Sequence, residues 1–162
     1  MARNSDQKFM SIAIDLAKES LAQDELPVGA VIVLGGQVIA KGRNRRESSS
    51  SKIAHAELEA IEVASRLLRE NPRQATLYTT LEPCLMCYGA ACSSKILRIC
   101  YGAQDSFAGA CHSVELPNFY QRFAPALDGG IMQEESLELL HQFCNMHDQR
   151  KWKTSFFGPA IT

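Results

Sequence analysis

The sequence lacks any hydrophobic run that could cross a membrane. A membrane-spanning helix needs about 20 consecutive apolar residues, whereas the best apolar run here, Ala30 to Leu34, ends at Gly35 and Gly36. The first eight residues are polar and do not contain the apolar segment of a signal peptide. We therefore expect a cytoplasmic protein that makes no contact with a membrane.

An excess of charge of either sign is also missing. The 17 Lys and Arg residues and the 18 Asp and Glu residues leave a net charge of −1. This balance excludes the broadly basic surface of an indiscriminate nucleic-acid binder, so any contact with nucleic acid requires a local basic patch. No repeat or linker interrupts the 162 residues, of which 46% are hydrophobic and 22% are charged. We expect residues 1–162 to form one soluble globular domain.

Cysteine, in contrast, is well represented. The six cysteines could form three disulfides in a secreted protein. Because the sequence has no export signal, metal binding, catalysis or simple burial is favoured over disulfide formation. We expect Cys92, Cys100 and Cys144 to be small core residues. Cys111 lies in a long loop, where it could equally line a pocket or be there by chance.

Hydrophobic periodicity and turn residues predict helices and strands that alternate along the chain. The predicted helices begin near Phe9, at Ala54, at Glu82-Pro83 (with Pro83 in the first helical position) and near Glu134. The last three end before Asn71, at about Ser94 and at about Lys153. The predicted strands are 28–34, 37–41, 75–81 and 96–101, with a tight hairpin at Gly35-Gly36, a long functional loop over 102–130 and a short strand near Ile131. This order, α-β-β-α-β-α-β-(β)-α, predicts a mixed sheet with helices on both faces.

Two short motifs carry the chemistry, and each lies at the start of a predicted helix. His55 and Glu57 open one helix, and Cys84 and Cys87 open another. Two cysteines three residues apart lie on one helix face, and the positive end of the helix favours their thiolate forms. Since side chains tilt towards the N-terminus of a helix, His55 can join both thiolates if the two helix starts meet. Three protein ligands with an open fourth position are typical of a catalytic zinc site, and Glu57 would remain beside the metal as a proton carrier.

Each motif alone is a weak signal. Cys-x-x-Cys can also be a redox pair or half of a four-cysteine structural site, and a single histidine is usually a core or surface residue. A zinc or interaction module without activity would need a fourth protein ligand, for which no residue has a regular spacing and only His112 in the long loop remains. The combined His-x-Glu and Pro-Cys-x-x-Cys pattern is the signature of zinc-dependent nucleobase deaminases and favours the catalytic interpretation.

Five strings along the chain carry a resemblance to a known family. They are LPVGAV at 26–31, GRNR at 42–45, AHAE at 54–57, TLEPCLMC at 80–87 and YGAQD at 101–105. Over about residues 9 to 150 the chain resembles the bacterial-type tRNA adenosine deaminases. The resemblance implies a three-layer α/β/α cytidine deaminase-like fold with a mixed five-stranded sheet. It also implies a homodimer whose subunit contact borders the active site.

The resemblance further implies the composition of the metal site and the reaction. Zinc would be held by His55, Cys84 and Cys87, one ion per subunit, and Glu57 would carry the proton. The implied reaction is hydrolysis of adenosine to inosine at the wobble position of a tRNA anticodon, with release of ammonia. The anticodon loop is already unpaired, so extrusion of the base from the loop costs little.

Substrate contacts are also implied by the resemblance. Asn44 matches the family's asparagine that contacts the bound nucleoside, and Val28 matches an apolar wall of the pocket. Ala56 falls at a substrate-binding position, and Asp105 matches a loop aspartate near the ribose and backbone of the substrate.

The chain departs from the family pattern in two places that concern the substrate. Gln104 and residues 106–108 stand where the family tends to carry basic or polar residues. The basic residues Arg150, Lys151 and Lys153 are followed by an apolar tail over 156–159. Weak basicity reduces the attraction for phosphates, so a deaminase of a free nucleobase or nucleoside (guanine, adenine or cytosine) is the alternative function.

Overall fold

The computed structural model describes residues 2–147. It contains five helices, α1 (Ala2–Ala22), α2 (Ala56–Glu70), α3 (Leu85–Ser93), α4 (Asn118–Gln121) and α5 (Gln133–His147). It contains five strands, β1 (Gly29–Leu34), β2 (Gln37–Arg43), β3 (Thr76–Leu81), β4 (Arg98–Ala103) and β5 (Ala126–Asp128). The predicted continuation of the last helix to Lys153, the basic residues 150–153 and the apolar tail lie outside the described residues.

The strands form one mixed five-stranded sheet, as the sequence predicts. Their order is β2-β1-β3-β4-β5. The pairs β1–β2 and β1–β3 are antiparallel, whereas β3–β4 and β4–β5 are parallel. Helices α1 and α5 pack on one face of the sheet, and α2 and α3 pack on the other. The predicted helical layers on both faces are therefore confirmed. Within residues 2–147, no helix is both long enough and apolar enough to span a bilayer.

Two glycines make the predicted hairpin between β1 and β2. Gly35 and Gly36 have φ angles of 58° and 78°, and the flanking residues Leu34 and Gln37 are paired. A two-residue turn with positive φ at both positions matches the right-handed twist of the strands, and glycine adopts it without steric cost.

Two other glycines bring helices unusually close to the first two strands. A Cβ atom at Gly42 would lie 2.1 Å from the carbonyl oxygen of Ala56 and 2.9 Å from Cβ of Glu59. On the opposite face of the sheet, a Cβ atom at Gly29 would lie 2.0 Å from the carbonyl oxygen of Ala13. The end of β2 therefore rests directly on the first turn of α2, which is the turn that carries His55 and Glu57.

Three local predictions from the sequence were wrong. Helix α3 begins at Leu85, because Cys84 is still extended (ψ 170°) and forms a β-bridge with Gly109. Pro83 therefore precedes the N-cap residue and does not occupy the first helical position. The short final strand lies at 126–128 and not near Ile131, because β5 is the segment that pairs with β4. The predicted loop over 102–130 also contains the short helix α4.

A partly buried ion pair connects α1 to the sheet. Arg98 on β4 donates two parallel hydrogen bonds to the carboxylate of Asp6, at 2.9 and 3.0 Å. Tyr78 on β3 donates to the same carboxylate at 2.7 Å, and Arg98 also reaches Asp128. The hydrogen bonds from Arg98 hold the pKa of Asp6 below its usual value of 3.8, although burial acts in the opposite direction.

We expect Asp6→Asn to lower the free energy of unfolding by about 2 kcal/mol at pH 7, because the substitution removes a charge-assisted acceptor from buried donors. Since the folded-state pKa of Asp6 is lowered, its contribution is complete above pH 3.8 and is lost as the pH falls through the folded value. Denaturant unfolding at pH 7 and in acid measures both effects. Asp15→Asn is the matched control, because Asp15 lies on the same helix and is 70% exposed. Equal costs for the two variants, or a difference that widens in acid, would contradict the assignment.

Candidate active site

The two chemical motifs lie at the first turns of two neighbouring helices. His55 is the N-cap residue of α2, Cys84 is the N-cap residue of α3, and Cys87 lies in the first turn of α3. Serine, threonine, asparagine and aspartate are preferred at N-caps, because their side chains accept a hydrogen bond from the helix backbone. Neither His55 nor Cys84 makes such a bond. Both side chains are instead directed towards each other.

The three side chains form a triangle with the dimensions of a zinc site. Nδ1 of His55 lies 3.7 Å from Sγ of Cys84 and 3.5 Å from Sγ of Cys87, and the two sulfur atoms are 3.6 Å apart. Ordinary Zn–S and Zn–N bond lengths place tetrahedral ligands about 3.8 Å apart (S to S) and about 3.6 Å apart (S to N). The donor set and its spacing therefore fit a zinc ion.

No other side chain of the described residues joins this triangle. His55, Cys84 and Cys87 are the only group of three metal-binding side chains found within residues 2–147. His112 does not approach it, because its Nε2 atom is 2.9 Å from the hydroxyl of Tyr101. A three-ligand site favours the catalytic over the structural interpretation.

The thiols of Cys84 and Cys87 have different pKa values because they share a hydrogen bond. The bond from Cys87, together with the hydrogen bond to His55, lowers the pKa of Cys84 to about 4. The same bond and burial raise the pKa of the Cys87 thiol. The hydrogen bond to Cys84 raises the pKa of His55. The lowered pKa favours the thiolate form of Cys84, and both cysteines are deprotonated when they bind a metal, as metal–thiolate sites require.

Glu57 lies beside the triangle and is not part of it. Its side chain is buried, with a relative exposure of 4%, and it lines the same pocket as His55 and Cys84. Burial raises the pKa of its carboxyl group. A raised pKa suits a carboxyl group that takes up and releases a proton near neutral pH. Residues 55 and 57 can face one pocket because both lie at the start of the helix, before its side chains diverge.

The pocket opens at the carboxyl ends of β3 and β4, where open α/β sheets commonly bind ligands. Its lining consists of Leu26, Val28, Asn44, Arg46, His55, Glu57, Leu81, Glu82, Cys84, Asp105 and Ala108. Three of the four predicted substrate contacts, Val28, Asn44 and Asp105, therefore lie together at the metal triangle. Ala56 is completely buried and is not among the lining residues, so its role stays a prediction.

The side chains of Asn44 and Asp105 already have partners within their own segments. Oδ1 of Asn44 accepts a hydrogen bond from the amide of Arg46 at 3.2 Å. Oδ1 of Asp105 accepts from the amides of Phe107 and Ala108 at 2.9 and 3.0 Å. Both side chains therefore shape the pocket wall, and the predicted contact between Asp105 and a ribose stays a prediction.

Three polar residues were not predicted from the sequence: Glu82 and Arg46 line the pocket, and Glu25 directly precedes the lining residue Leu26. Glu25 and Glu82 are buried and accept hydrogen bonds from loop amides. Arg46 lines the pocket, and its Nε atom is buried without a hydrogen-bond partner among the described residues. The one available signal was Glu82, a carboxylate between a predicted strand and the cysteine motif. The sequence does not distinguish Arg46 from its neighbours Arg43 and Arg45, because the three arginines differ only in the side chains that they contact in the folded protein.

The remaining cysteines are structural, as predicted for three of them. Cys92, Cys100 and Cys144 have no exposed surface. Cys111 is 7% exposed and packs in the same core cluster as Cys92. None of the six cysteines, all of which the structure describes, forms a disulfide.

The fold and the site together define a zinc-dependent hydrolase of the nucleobase deaminase class. A family model for the cytidine and deoxycytidylate deaminase zinc-binding region matches residues 3–103. The chain belongs to this cytidine and deoxycytidylate deaminase family.

Comparison with individual proteins gives three further similarities. A tRNA-specific adenosine deaminase from Buchnera aphidicola is 46% identical over 165 residues, which cover 98% of each chain. A solved structure from studies of A-to-I editing by tRNA:A34 deaminases is 39% identical, with a TM-score of 0.72, and covers 82% of this chain and 98% of its own. The structure of a guanine deaminase from Bacillus subtilis is 38% identical with a TM-score of 0.56, and it covers 60% of this chain and 64% of its own.

We expect His55→Ala to reduce the bound zinc well below one ion per chain, since it removes one of three ligands. Metal analysis of the purified protein after dialysis measures the content. Glu57→Ala and His112→Ala are the matched controls and should retain zinc. Loss of zinc in His112→Ala would identify a fourth protein ligand and contradict the three-ligand site.

Proposed function

We propose that the protein hydrolyses adenosine to inosine at the wobble position of a tRNA anticodon and releases ammonia. The observation that carries this proposal is the three-ligand metal triangle with Glu57 beside it in one pocket. The 46% identity to a tRNA-specific adenosine deaminase over nearly the whole chain supports the choice of substrate.

Each residue of the pocket has a distinct part in the reaction. When bound by His55, Cys84 and Cys87, the zinc ion supplies Lewis-acid activation of water. Glu57 accepts the proton that the attacking water loses as its oxygen bonds to C6 of adenine. The carboxyl group then returns this proton to N1. Glu57 next carries the proton of the new C6 hydroxyl group to the amino group, so that the C6–N bond breaks, ammonia leaves and C6 becomes a carbonyl carbon. The product is inosine.

The walls of the pocket hold the base for this transfer. Val28 and Leu26 form an apolar side of the pocket, against which the base packs. Asn44 is 2% exposed and lines the same pocket as the metal ligands His55 and Cys84, where its side chain binds the nucleoside.

Arg46 supports a polynucleotide substrate over a free base. Arg45 pairs with Glu59, and Arg43 donates to Gln23, so both neighbouring guanidinium groups have protein partners. The Nε atom of Arg46, which lines the pocket, is buried without a hydrogen-bond partner among the described residues. A guanidinium with an unpaired donor beside a nucleoside site suits a phosphodiester of an RNA chain. It supplies the local basic contact that a chain with a net charge of −1 requires.

Deamination of a free base is the second candidate, and the similarity to a guanine deaminase favours it. We expect the wild-type protein to form inosine in an anticodon stem-loop and to release little ammonia from free guanine, adenine or cytosine. Glu57→Ala should retain zinc and lose at least about 100-fold in turnover, the usual size of a general acid–base contribution. Nucleoside analysis of the RNA and an ammonia assay measure the products. Ammonia from a free base without inosine in the RNA would replace the tRNA assignment by the second candidate.

We also propose a homodimer in the cytoplasm, the compartment of a tRNA substrate. An exposed apolar groove follows the metal site along α3, where Leu85 is 56% exposed and Met86 is 36% exposed. Leu116 and Tyr120 form its other side. A second copy seated on this groove would border the active site, as the family resemblance implies.

We expect the wild-type protein to sediment at twice the chain mass of 17.9 kDa. Gly89→Arg should shift it to the monomer mass, because Gly89 lines the groove and a Cβ atom there meets nothing within 4 Å of its own chain. The substitution also replaces glycine by a stronger helix former, so the monomer should remain folded. Val63→Arg on α2 (68% exposed) is the control and should remain dimeric. A monomeric wild-type protein, or a dimeric Gly89→Arg variant, would refute this interface.

A further inference from the structure

Two buried glutamates outside the metal triangle each hold one wall of the pocket. Glu25 is 1% exposed and Glu82 is 4% exposed. In both residues each carboxylate oxygen accepts a hydrogen bond from a backbone amide of a distant loop. Buried carboxylates are costly unless they are satisfied in this way. The same arrangement therefore occurs twice, once for each of two segments that contribute residues to the pocket.

Glu25 joins the apolar wall to the wall that carries Asn44. Its Oε1 atom accepts from the amide of Ser48 at 2.7 Å, and its Oε2 atom accepts from the amide of Glu47 at 3.0 Å. Burial alone would raise the pKa of Glu25, but these amide hydrogen bonds outweigh burial and hold the pKa below its usual value. Glu25 directly precedes Leu26, so one side chain ties together segments 26–28 and 44–48.

Glu82 holds the loop that contributes Asp105 and Ala108 to the pocket. Its Oε2 atom accepts from the amide of Asp105 and its Oε1 atom from the amide of Cys111, both at 3.1 Å. The loop can wrap this closely because residue 109 is glycine. A Cβ atom at Gly109 would lie 2.6 Å from the carboxylate of Glu82. The two amides are the ends of the segment that presents Asp105 and Ala108 to the pocket.

We infer that Glu25 and Glu82 are positioning residues for the substrate, each acting through its own wall: Glu25 through the segment of Asn44, and Glu82 through the loop of Asp105. The inference rests on the proposed function for the identity of the substrate. Replacing either glutamate by glutamine puts an amide group opposite a backbone N–H, so one of the two hydrogen bonds is lost and its donor is left unpaired. Neither residue touches the metal triangle among the described contacts, so the zinc site should be unaffected.

The first experiment compares single variants on the zinc-loaded enzyme. Glu25→Gln and Glu82→Gln should each lower kcat/KM for an anticodon stem-loop by about tenfold, the effect of one lost buried hydrogen bond. Their zinc content should stay at that of the wild type. Glu62→Gln on the exposed surface of α2 is the matched control and should leave kcat/KM unchanged. Unchanged kcat/KM in both glutamine variants would overturn the inference.

The second experiment tests whether each glutamate acts through its own wall. Dissociation constants for the stem-loop are measured in a Glu57→Ala background, where the RNA binds without turnover. With Asn44→Ala present, Glu25→Gln should add less than a twofold change, whereas Glu82→Gln should keep its full effect. With Asp105→Asn present, Glu82→Gln should add less than a twofold change, whereas Glu25→Gln should keep its full effect. Such selective loss of additivity arises from residues that act on the same group, and a general loss of stability would not produce it. Full additivity in both backgrounds would overturn the inference.

The two proposals can fail separately. If the wild-type protein deaminates a free base and not the stem-loop, the tRNA assignment fails, and the same variants are compared by kcat/KM on that base. Selective non-additivity there would support the positioning roles, and its absence would overturn them.

Discussion

The structure depends on the convergence of two helix N-termini at one point in space. The positive ends of two helix dipoles repel each other unless negative charge lies between them. The lowered pKa of Cys84 favours a thiolate at this point, and the same sulfur atom is one of the metal ligands. His55 and Cys84 occupy N-cap positions and do not cap their helices. A capping side chain typically contributes about 1 kcal/mol, so the two helices give up local stability to form the site.

The sheet makes this convergence possible. Helix α3 follows β3 directly, so its first turn lies at the carboxyl edge of the parallel strands. Helix α2 reaches the same edge because Gly42 allows its first turn to rest on the backbone of β2. A larger residue at Gly42 would displace His55 and Glu57 together. The partly buried pair of Asp6 and Arg98 stabilises α1 on the other face of the sheet, away from the metal site.

The substrate pocket has a different physical basis from the metal site. Its side walls are loops, and loops lack the repeating backbone hydrogen bonds of helices and strands. Hydrogen bonds to buried carboxylates take their place. Glu25 and Glu82 each accept hydrogen bonds from two loop amides, and Asp105 accepts hydrogen bonds from the amides of the turn that follows it. A rigid metal centre is thus combined with walls whose shape is fixed by a few side chains. Substitutions in these loops can alter the substrate without disturbing the zinc ligands.

Much of the fold could be predicted because local patterns agree with the tertiary structure. The glycine hairpin, the helical periodicity and the strand runs each follow from residues within one element. Two predicted element boundaries were wrong because they depend on tertiary contacts. Cys84 stays extended because it pairs with Gly109, and the position of the last strand is set by its pairing with β4. The roles of Glu25 and Arg46 could not be predicted from the sequence, because they depend on how distant segments of the chain pack together.

The sequence by itself determined the chemistry of this protein, because the types and spacing of its ligands and its carboxylate suit few other purposes. Tertiary structure decided the geometry. Residues 29 and 32 positions apart in the chain bring their ligand atoms to 3.7 and 3.5 Å, and this requires the sheet, Gly42 and the packing of two helices together. The same holds for the pocket walls, since a hydrogen bond between distant segments exists only once the chain has folded.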